Sequence, residues 1–372
     1  MNAWTRHLRP ALAGLAVYEA ADAATQQPVR ARLHANECPE PWPPEVMAEL
    51  GRRLQDLELG RYPDSSGRTL RELLARAHGC DPERVVLGNG SDEVISLLMT
   101  ALAGRPSEPS FLVIPAPTFV MYAHSARCLG VGVLEVPLTE DLQLDEALMN
   151  EALGVATGAA ICFLARPNNP TSSLWDPEVI TRLIEGHPGT MFVLDEAYIR
   201  YAPGASLWRA DLPENVTYMS TLSKVGLAGL RIGYCVAPLA LARAVNVVRH
   251  PYNVSTTSLA IAEAVLRDFA GVQDAMIART IAGRERLITI LARIPGARLF
   301  PAHANIVLVR LEPAEQAPRL AAALAERGIL VKDASGVPRL NGCLRISVGT
   351  SAELDLLEAA LAELLPDLRP AS

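Results

Sequence analysis

Lysine is almost missing from this chain. Of 34 basic side chains in 372 residues, two are lysines, Lys224 and Lys332, and subtracting them leaves 32 arginines. Positive charge is therefore supplied by arginine, which stays protonated at any working pH. Lysine, by contrast, can lose its proton and act as a nucleophilic amine. A basic excess is missing as well: the net charge of -7 leaves no domain-scale cationic surface for a nucleic-acid partner. No apolar run is long enough to cross a bilayer, so no membrane partner is expected. The six cysteines (Cys38, Cys80, Cys128, Cys162, Cys235 and Cys343) are dispersed, with no C-x-x-C pair and no histidine cluster. That excludes a disulfide framework and a metal site, and the thiols read as small core residues of a protein in a reducing cytoplasm. At the start, Pro10 opens a short apolar stretch, which Tyr18, Glu19 and Asp22 then interrupt. The segment reads as an N-terminal arm or short helix and not as a secretion signal.

What is present is an alternation of short apolar runs and helical patterns. Val85–Gly88, Phe111–Pro115, Ala159–Leu164 and Met191–Asp195 are continuous apolar runs bounded by breakers, as expected of strands buried on both faces of a parallel sheet. Helical stretches such as Val94–Ala103 and Pro177–Gly186 separate them, which predicts an α/β architecture. After about Asp268 the pattern shifts to longer Ala/Leu/Arg helices with short strands at Ala304–Val309, Ile329–Val331 and Cys343–Val348. The expected organisation is an N-terminal arm and part of a small domain over 1–45, a large domain over 46–268 and a small α+β domain over 269–372.

Several short motifs sit where these strands end. Lys224 lies in the Ser/Thr/Gly-rich run Thr221–Tyr234, together with Thr221, Ser223 and Arg231. A lysine in such a run is suited to Schiff-base formation with a carbonyl, including the aldehyde of pyridoxal phosphate (PLP); taken alone it reads first as a lysine reaching out from a helix end. Asp195 ends an apolar strand, where ligands of open α/β sheets bind, and its carboxylate would suit a pyridinium nitrogen; alone it reads as a helix cap. Tyr198 follows three residues later. In Arg166-Pro-Asn-Asn-Pro-Thr171, two prolines fix a tight turn that projects an amide, and Asn169 would suit a phenolic oxygen. Gly88-Asn-Gly-Ser-Asp-Glu93 leads from a strand into a helix, so the amides of Ser91 and Asp92 could meet a phosphate; a plain cap has the same sequence.

In the order Gly90-Ser91-Asp92, Asn169, Asp195, Tyr198, Lys224, Arg231, Arg345, the chain resembles the fold-type I PLP enzymes, and within them the class II-like aminotransferases. The resemblance is strongest to the histidinol-phosphate aminotransferase family. It covers roughly Leu15 to Leu364 and includes Leu33–Glu37, Arg61–Asp64, Pro117–Tyr122 and Leu344–Thr350. It implies an aspartate aminotransferase-like fold, with a large, mostly parallel sheet and a smaller α+β domain. Lys224 would hold the cofactor and move the proton, and Asp195 would pair with the ring nitrogen. Asn169 and Tyr198 would contact the ring oxygen, and Phe119 would stack on the ring. Ser91, Asp92, Thr221, Ser223 and Arg231 would hold the phosphate, with Tyr62 reaching in from the second subunit of a homodimer. Arg345, Tyr18 and Asn36 would contact substrate, Arg345 clamping its anionic end.

The implied reaction is transamination between L-histidinol phosphate and 2-oxoglutarate, giving glutamate. A threonine-phosphate decarboxylase and an aromatic or other amino-acid aminotransferase share the same pattern. A PLP-binding regulator would want a DNA-binding module, for which the N-terminus is too short. Two departures from the family pattern stand out: Ser172 replaces the usual glycine after Asn168-Asn-Pro-Thr171, and Cys38 stands where asparagine is common.

Overall fold

The computed structural model describes residues 3–12, 28–102, 110–156 and 160–365. The first strand, β1 (Ala31–Leu33), belongs to the smaller of two sheets. The next seven build the larger: β2 (Val85–Asn89), β3 (Phe111–Ala116), β4 (Gly132–Pro137), β5 (Ala160–Ala165), β6 (Thr190–Asp195), β7 (Val216–Thr221) and β8 (Ile232–Val236). Their order is β2-β8-β7-β6-β5-β3-β4. The neighbours from β7 to β4 are parallel, while β8 runs antiparallel to both β7 and β2. Every residue of β5 and β7 is buried, whereas the edge strand β4 is largely half-buried. Burial on both faces explains why β5 is an unbroken apolar run, whereas β7 is equally buried yet carries Thr217, Ser220 and Thr221.

Helices cover both faces; α1 (Pro44–Leu54), α2 (Arg68–His78) and α8 (Thr256–Asp268) pack with Val85, Leu87 and Val236. The helices α3 (Ser91–Leu102), α4 (Val120–Leu129) and α7 (Leu239–Val248) pack with Val86, Ile114, Ile161 and Val193. On the other face α5 (Glu146–Val155) and α6 (Pro177–Gly186) pack with Val113, Cys162 and Phe192. Helix α3 begins three residues earlier than its apolar pattern indicates. Gly90, at φ 81°, turns the chain, and the polar Ser91-Asp-Glu93 forms the first helical turn.

The smaller sheet takes β9 (Arg298–Leu299), β10 (Ile306–Arg310), β11 (Ile329–Asp333) and β12 (Cys343–Ser347), in the order β1-β11-β12-β10-β9. Its core joins Leu33, Val307, Leu344 and Ile346 to the helices α9 (Ala270–Leu291), α10 (Gln316–Glu326) and α11 (Ser351–Leu364). A three-residue strand from the N-terminal segment thus pairs in parallel with β11, Ala31 opposite Ile329. This joins the start of the described chain to the C-terminal sheet.

The topology positions the site. The carboxyl ends of β2, β3, β5, β6 and β7 lie along one edge of the large sheet, where open α/β sheets bind ligands. Because β8 runs the other way, its beginning lies at that edge, which brings Arg231 to the same rim as Asp195 and Thr221.

Candidate active site

A cavity of about 650 Å³ opens at this edge, between the large sheet and β11–β12 of the small one. Asp195 lies in its floor, buried at the end of β6. Its carboxylate accepts hydrogen bonds from the Ala197 amide at 3.0 Å and from the Tyr122 hydroxyl. Burial dominates over these donors and raises its pKa to about 6, and Lys224 is the cation that opposes the rise. A cationic ring nitrogen in the cavity would supply the compensation that this buried acid lacks. Tyr122 is fully buried, and its hydroxyl is pushed well above the usual phenol range by burial and the Asp195 charge, so it stays a donor. Phe119 lines the cavity and meets Tyr122 edge-on, with ring centroids 5.5 Å apart.

Lys224 faces this floor from an irregular turn over Ser223–Leu227, with its Nζ 5.6 Å from the Tyr198 ring centroid. Three side chains from separate elements hold the turn. Tyr201 Oη donates to the Lys224 carbonyl at 2.5 Å, Gln273 Nε2 to the Val225 carbonyl at 2.9 Å, and Trp42 Nε1 to the Gly226 carbonyl at 2.8 Å. Consecutive carbonyls anchored in this way fix where the lysine stem begins, which is what a positioned amine requires.

One end of the cavity is built for an anion. Ser91 and Asp92 open α3, so their amides have no intrahelical acceptor, and both residues line the cavity with Ser223 and Arg231. Arg231 takes a left-handed conformation (φ 51°) and reaches Asp92 Oδ2 at 3.1 Å and Ser223 Oγ at 3.5 Å. The approach depends on glycine. A Cβ on Gly233 would lie 2.3 Å from the Ser91 nitrogen, and one on Gly90 would lie 2.5 Å from Arg231 Nη2. Thr221, expected among the phosphate contacts, does not line the cavity. Its hydroxyl donates to the Ile232 carbonyl at 2.9 Å and accepts from the Ser223 amide at 3.1 Å. Thr221 shapes the loop that presents Ser223.

The opposite wall comes from the small sheet. Arg345 donates to Asn169 Oδ1 at 2.9 Å and to the His34 carbonyl at 2.5 Å. Asn36, buried at φ 56°, donates to Asn169 Oδ1 at 3.3 Å and to Tyr198 Oη at 3.2 Å. Ser347 fixes it by accepting from its amide at 2.9 Å and donating to its Oδ1 at 3.1 Å. Lys332 also lines this wall, directly opposite Arg345 in the β11–β12 register.

Of the residues expected from sequence, the structure brings together Ser91, Asp92, Phe119, Asn169, Asp195, Tyr198, Ser223, Lys224, Arg231, Asn36 and Arg345. Tyr62 lies apart from them, 81% exposed and stacked on Tyr252 with centroids 4.6 Å apart. Tyr18 lies outside the described residues. Cys38 does not line the cavity; its sulfur sits 3.7 Å from Thr280 Oγ1. Sequence reasoning missed Tyr122, Lys332 and the three donors that hold the lysine turn. Tyr122 carried one usable signal: it follows Phe119 by three residues, so a helix starting there brings both rings to one strand end.

The donor set fits PLP: a positioned amine, a buried acid, an aromatic face and an anion cup with an arginine. Among the described residues no cluster of histidine, cysteine and acidic side chains could hold a metal ion, and no helix is long and apolar enough to cross a membrane. Residues 31–361 match the family model of class I and II aminotransferases. The chain is 43% identical over 342 residues to the histidinol-phosphate aminotransferase of Methylibium petroleiphilum, covering 90% of this chain and 89% of that one. It is 36% identical to that of Caldanaerobacter subterraneus, covering 96% and 98%. The crystal structure of the Sinorhizobium meliloti histidinol-phosphate aminotransferase in complex with pyridoxal-5'-phosphate superposes with a TM-score of 0.85 at 28% identity, covering 97% of this chain and 98% of that one. The fold, the site geometry and these relatives agree: the chain belongs to the class I and II aminotransferases.

Proposed function

We propose that this enzyme transfers the amino group of L-histidinol phosphate to 2-oxoglutarate, giving imidazole-acetol phosphate and L-glutamate, a step of histidine biosynthesis. The observation that carries the reading is the paired cations of the small-sheet wall. Arg345 and Lys332 face the cavity opposite the Lys224 side, where a phosphate monoester or a carboxylate can be held by charge-assisted hydrogen bonds. An acceptor that carries a carboxylate and a donor that carries a phosphate can use the same cations in turn.

PLP, when bound, supplies an electron sink next to the carbon that loses its proton. The chain's own groups do the rest. Lys224 would hold the cofactor through its amine, and its Nζ is the group on this chain that could move a proton at the substrate carbon. Asp195 would keep the ring nitrogen protonated, and Tyr122 and the Ala197 amide orient its carboxylate. Asn169 and Tyr198 would contact the ring oxygen, Phe119 would cover the ring, and the Ser91 and Asp92 amides, Ser223 and Arg231 would hold the phosphate. Asn36 links Asn169 to Tyr198, so the substrate wall and the cofactor wall share one hydrogen-bond network. The exposed Tyr62–Tyr252 pair suits a homodimer in which Tyr62 completes the partner's phosphate site. A reducing cytoplasm suits the six unpaired thiols.

The test offers the holoenzyme histidinol phosphate, O-phosphothreonine, phenylalanine and tyrosine in parallel and identifies the products. Imidazole-acetol phosphate formed from histidinol phosphate, with the highest kcat/KM of the set, is the expected result. Carbon dioxide from O-phosphothreonine without need of an oxo acid, or preferred turnover of an aromatic donor, would replace this substrate.

A further inference from the structure

Ser172 occupies a backbone conformation that favours glycine, φ 60°, and it is fully buried. If the turn only needed that conformation, a side chain there would be a pure cost. The hydroxyl, however, has a definite task. Ser172 Oγ accepts from the His303 amide at 2.9 Å and from the Ala304 amide at 2.8 Å, and the Ser172 carbonyl also accepts from His303 at 3.1 Å. These donors lie just ahead of β10, in the small-sheet half of the molecule, whereas Ser172 closes the turn that carries Asn169. Its own amide donates to the Asn168 carbonyl at 2.7 Å, so the bond reaches that turn through the backbone.

The next residue extends the connection into the substrate wall. Asn305 Nδ2 donates to the carbonyls of Asn36 at 3.2 Å and Glu37 at 2.9 Å. The Asn305 carbonyl accepts from the Val348 amide at 2.9 Å, just beyond β12. Asn36 and Arg345 in turn reach Asn169. A closed loop of contacts therefore runs from Asn169 through Ser172, the 303–305 segment and Asn36 back to Asn169; it crosses between the two halves at Ser172 and again where Asn36 meets Asn169.

We propose that Ser172 is a positioning residue: its hydroxyl clasps the 303–304 backbone to the Asn169 turn and sets the spacing between the cofactor wall and the Asn36–Arg345 wall before substrate arrives. The inference rests on the reading that Arg345 receives the anionic end of the substrate. Without the clasp the cavity loses that preset spacing, and part of the donor's binding energy is spent on restoring it.

Two variants test this in the holoenzyme. Ser172→Gly removes the hydroxyl while leaving a residue at ease at this φ, so folding is retained; Ser172→Ala removes only the hydroxyl. Hydrogen exchange at the Ala304 amide is expected to accelerate roughly tenfold in both, because it loses its buried acceptor, while the His303 amide keeps the Ser172 carbonyl. The KM for the amino donor is expected to rise about fivefold to tenfold with kcat within about twofold, the pattern of lost ground-state and transition-state binding alike. Unchanged exchange overturns the clasp, and faster exchange with an unchanged KM overturns the positioning role. If wild-type enzyme rejects histidinol phosphate, the substrate reading fails by itself. The KM comparison is then made on whichever anionic donor reacts, and the exchange result stands independently.

Discussion

Glu196 stands next to Asp195, and the two carboxylates are expected to respond in opposite ways to loss of charge. Glu196 is almost fully buried and accepts from Ser206 Oγ at 2.5 Å and from the Leu207 amide at 2.6 Å, yet burial dominates and raises its pKa from 4.5 to about 7. It does not line the cavity. Because the folded protein binds this proton more tightly than the unfolded chain, the stability it contributes is full below about pH 4.5. That stability is lost as pH rises through about 7. Each tenfold in proton affinity is worth about 1.4 kcal/mol, so the loss amounts to about 3 kcal/mol. In Glu196→Gln the amide oxygen can still accept from Leu207, and the amide nitrogen can donate to Ser206. The variant should therefore be close to wild type in stability near pH 5 and more stable by up to about 3 kcal/mol near pH 8. Urea unfolding of the apoenzyme at both pH values measures the difference. The Asp195 contribution has the same sign and is present in both proteins, so the difference reads mainly Glu196, to whose rise the neighbouring Asp195 charge adds a lesser part. Turnover at neutral pH should be retained. A Glu196→Gln protein that loses stability with pH as steeply as wild type, or that is inactive, would refute the reasoning.

Other perturbations read the site itself. Asp195→Ala should fold normally and lose about a hundredfold or more in turnover, since a buried ionic partner is removed from the cofactor; near wild-type kcat/KM would contradict its role. Gly233→Ala should weaken PLP affinity about tenfold or more by pushing the β8 backbone away from Ser91, which fluorescence titration of the apoenzyme with PLP would report. Gln273→Ala frees the Val225 carbonyl; kcat is expected to fall about tenfold with cofactor affinity little changed, and steady-state kinetics beside PLP titration separate the two.

Much of the large sheet was legible because its central strands are buried on both faces, which leaves apolar runs that need no partner to be recognised. Strand β8 was not legible as a strand. Its Gly233 serves a close approach to Ser91, and its direction follows from pairing with β2 and β7 and not from its own residues. Strand β1 has three residues, and its partner lies at Ile329–Val331, so nothing local marks it. The chemical groups at strand ends were legible for a related reason: Asp195, Asn169 and Ser91 each follow an apolar run. Tyr122 was hidden because a buried tyrosine in a helix reads as core, and its bond to Asp195 spans 73 residues. Lys332 was visible as a rare residue, but only the antiparallel register with Arg345 turns it into part of the wall. Thr221 was misplaced because adjacency to Ser223 does not reveal that a hydroxyl is already engaged by the Ile232 carbonyl.

The near-absence of lysine makes the central claim unusually direct to measure. With Lys224 and Lys332 as the only two candidates in the sequence, borohydride reduction of the PLP-loaded enzyme followed by peptide mapping has few possible outcomes. The account predicts a pyridoxyl group on the peptide containing Lys224 and none on the peptide containing Lys332. A label on Lys332, or no covalent label on an enzyme that still turns over, would contradict it.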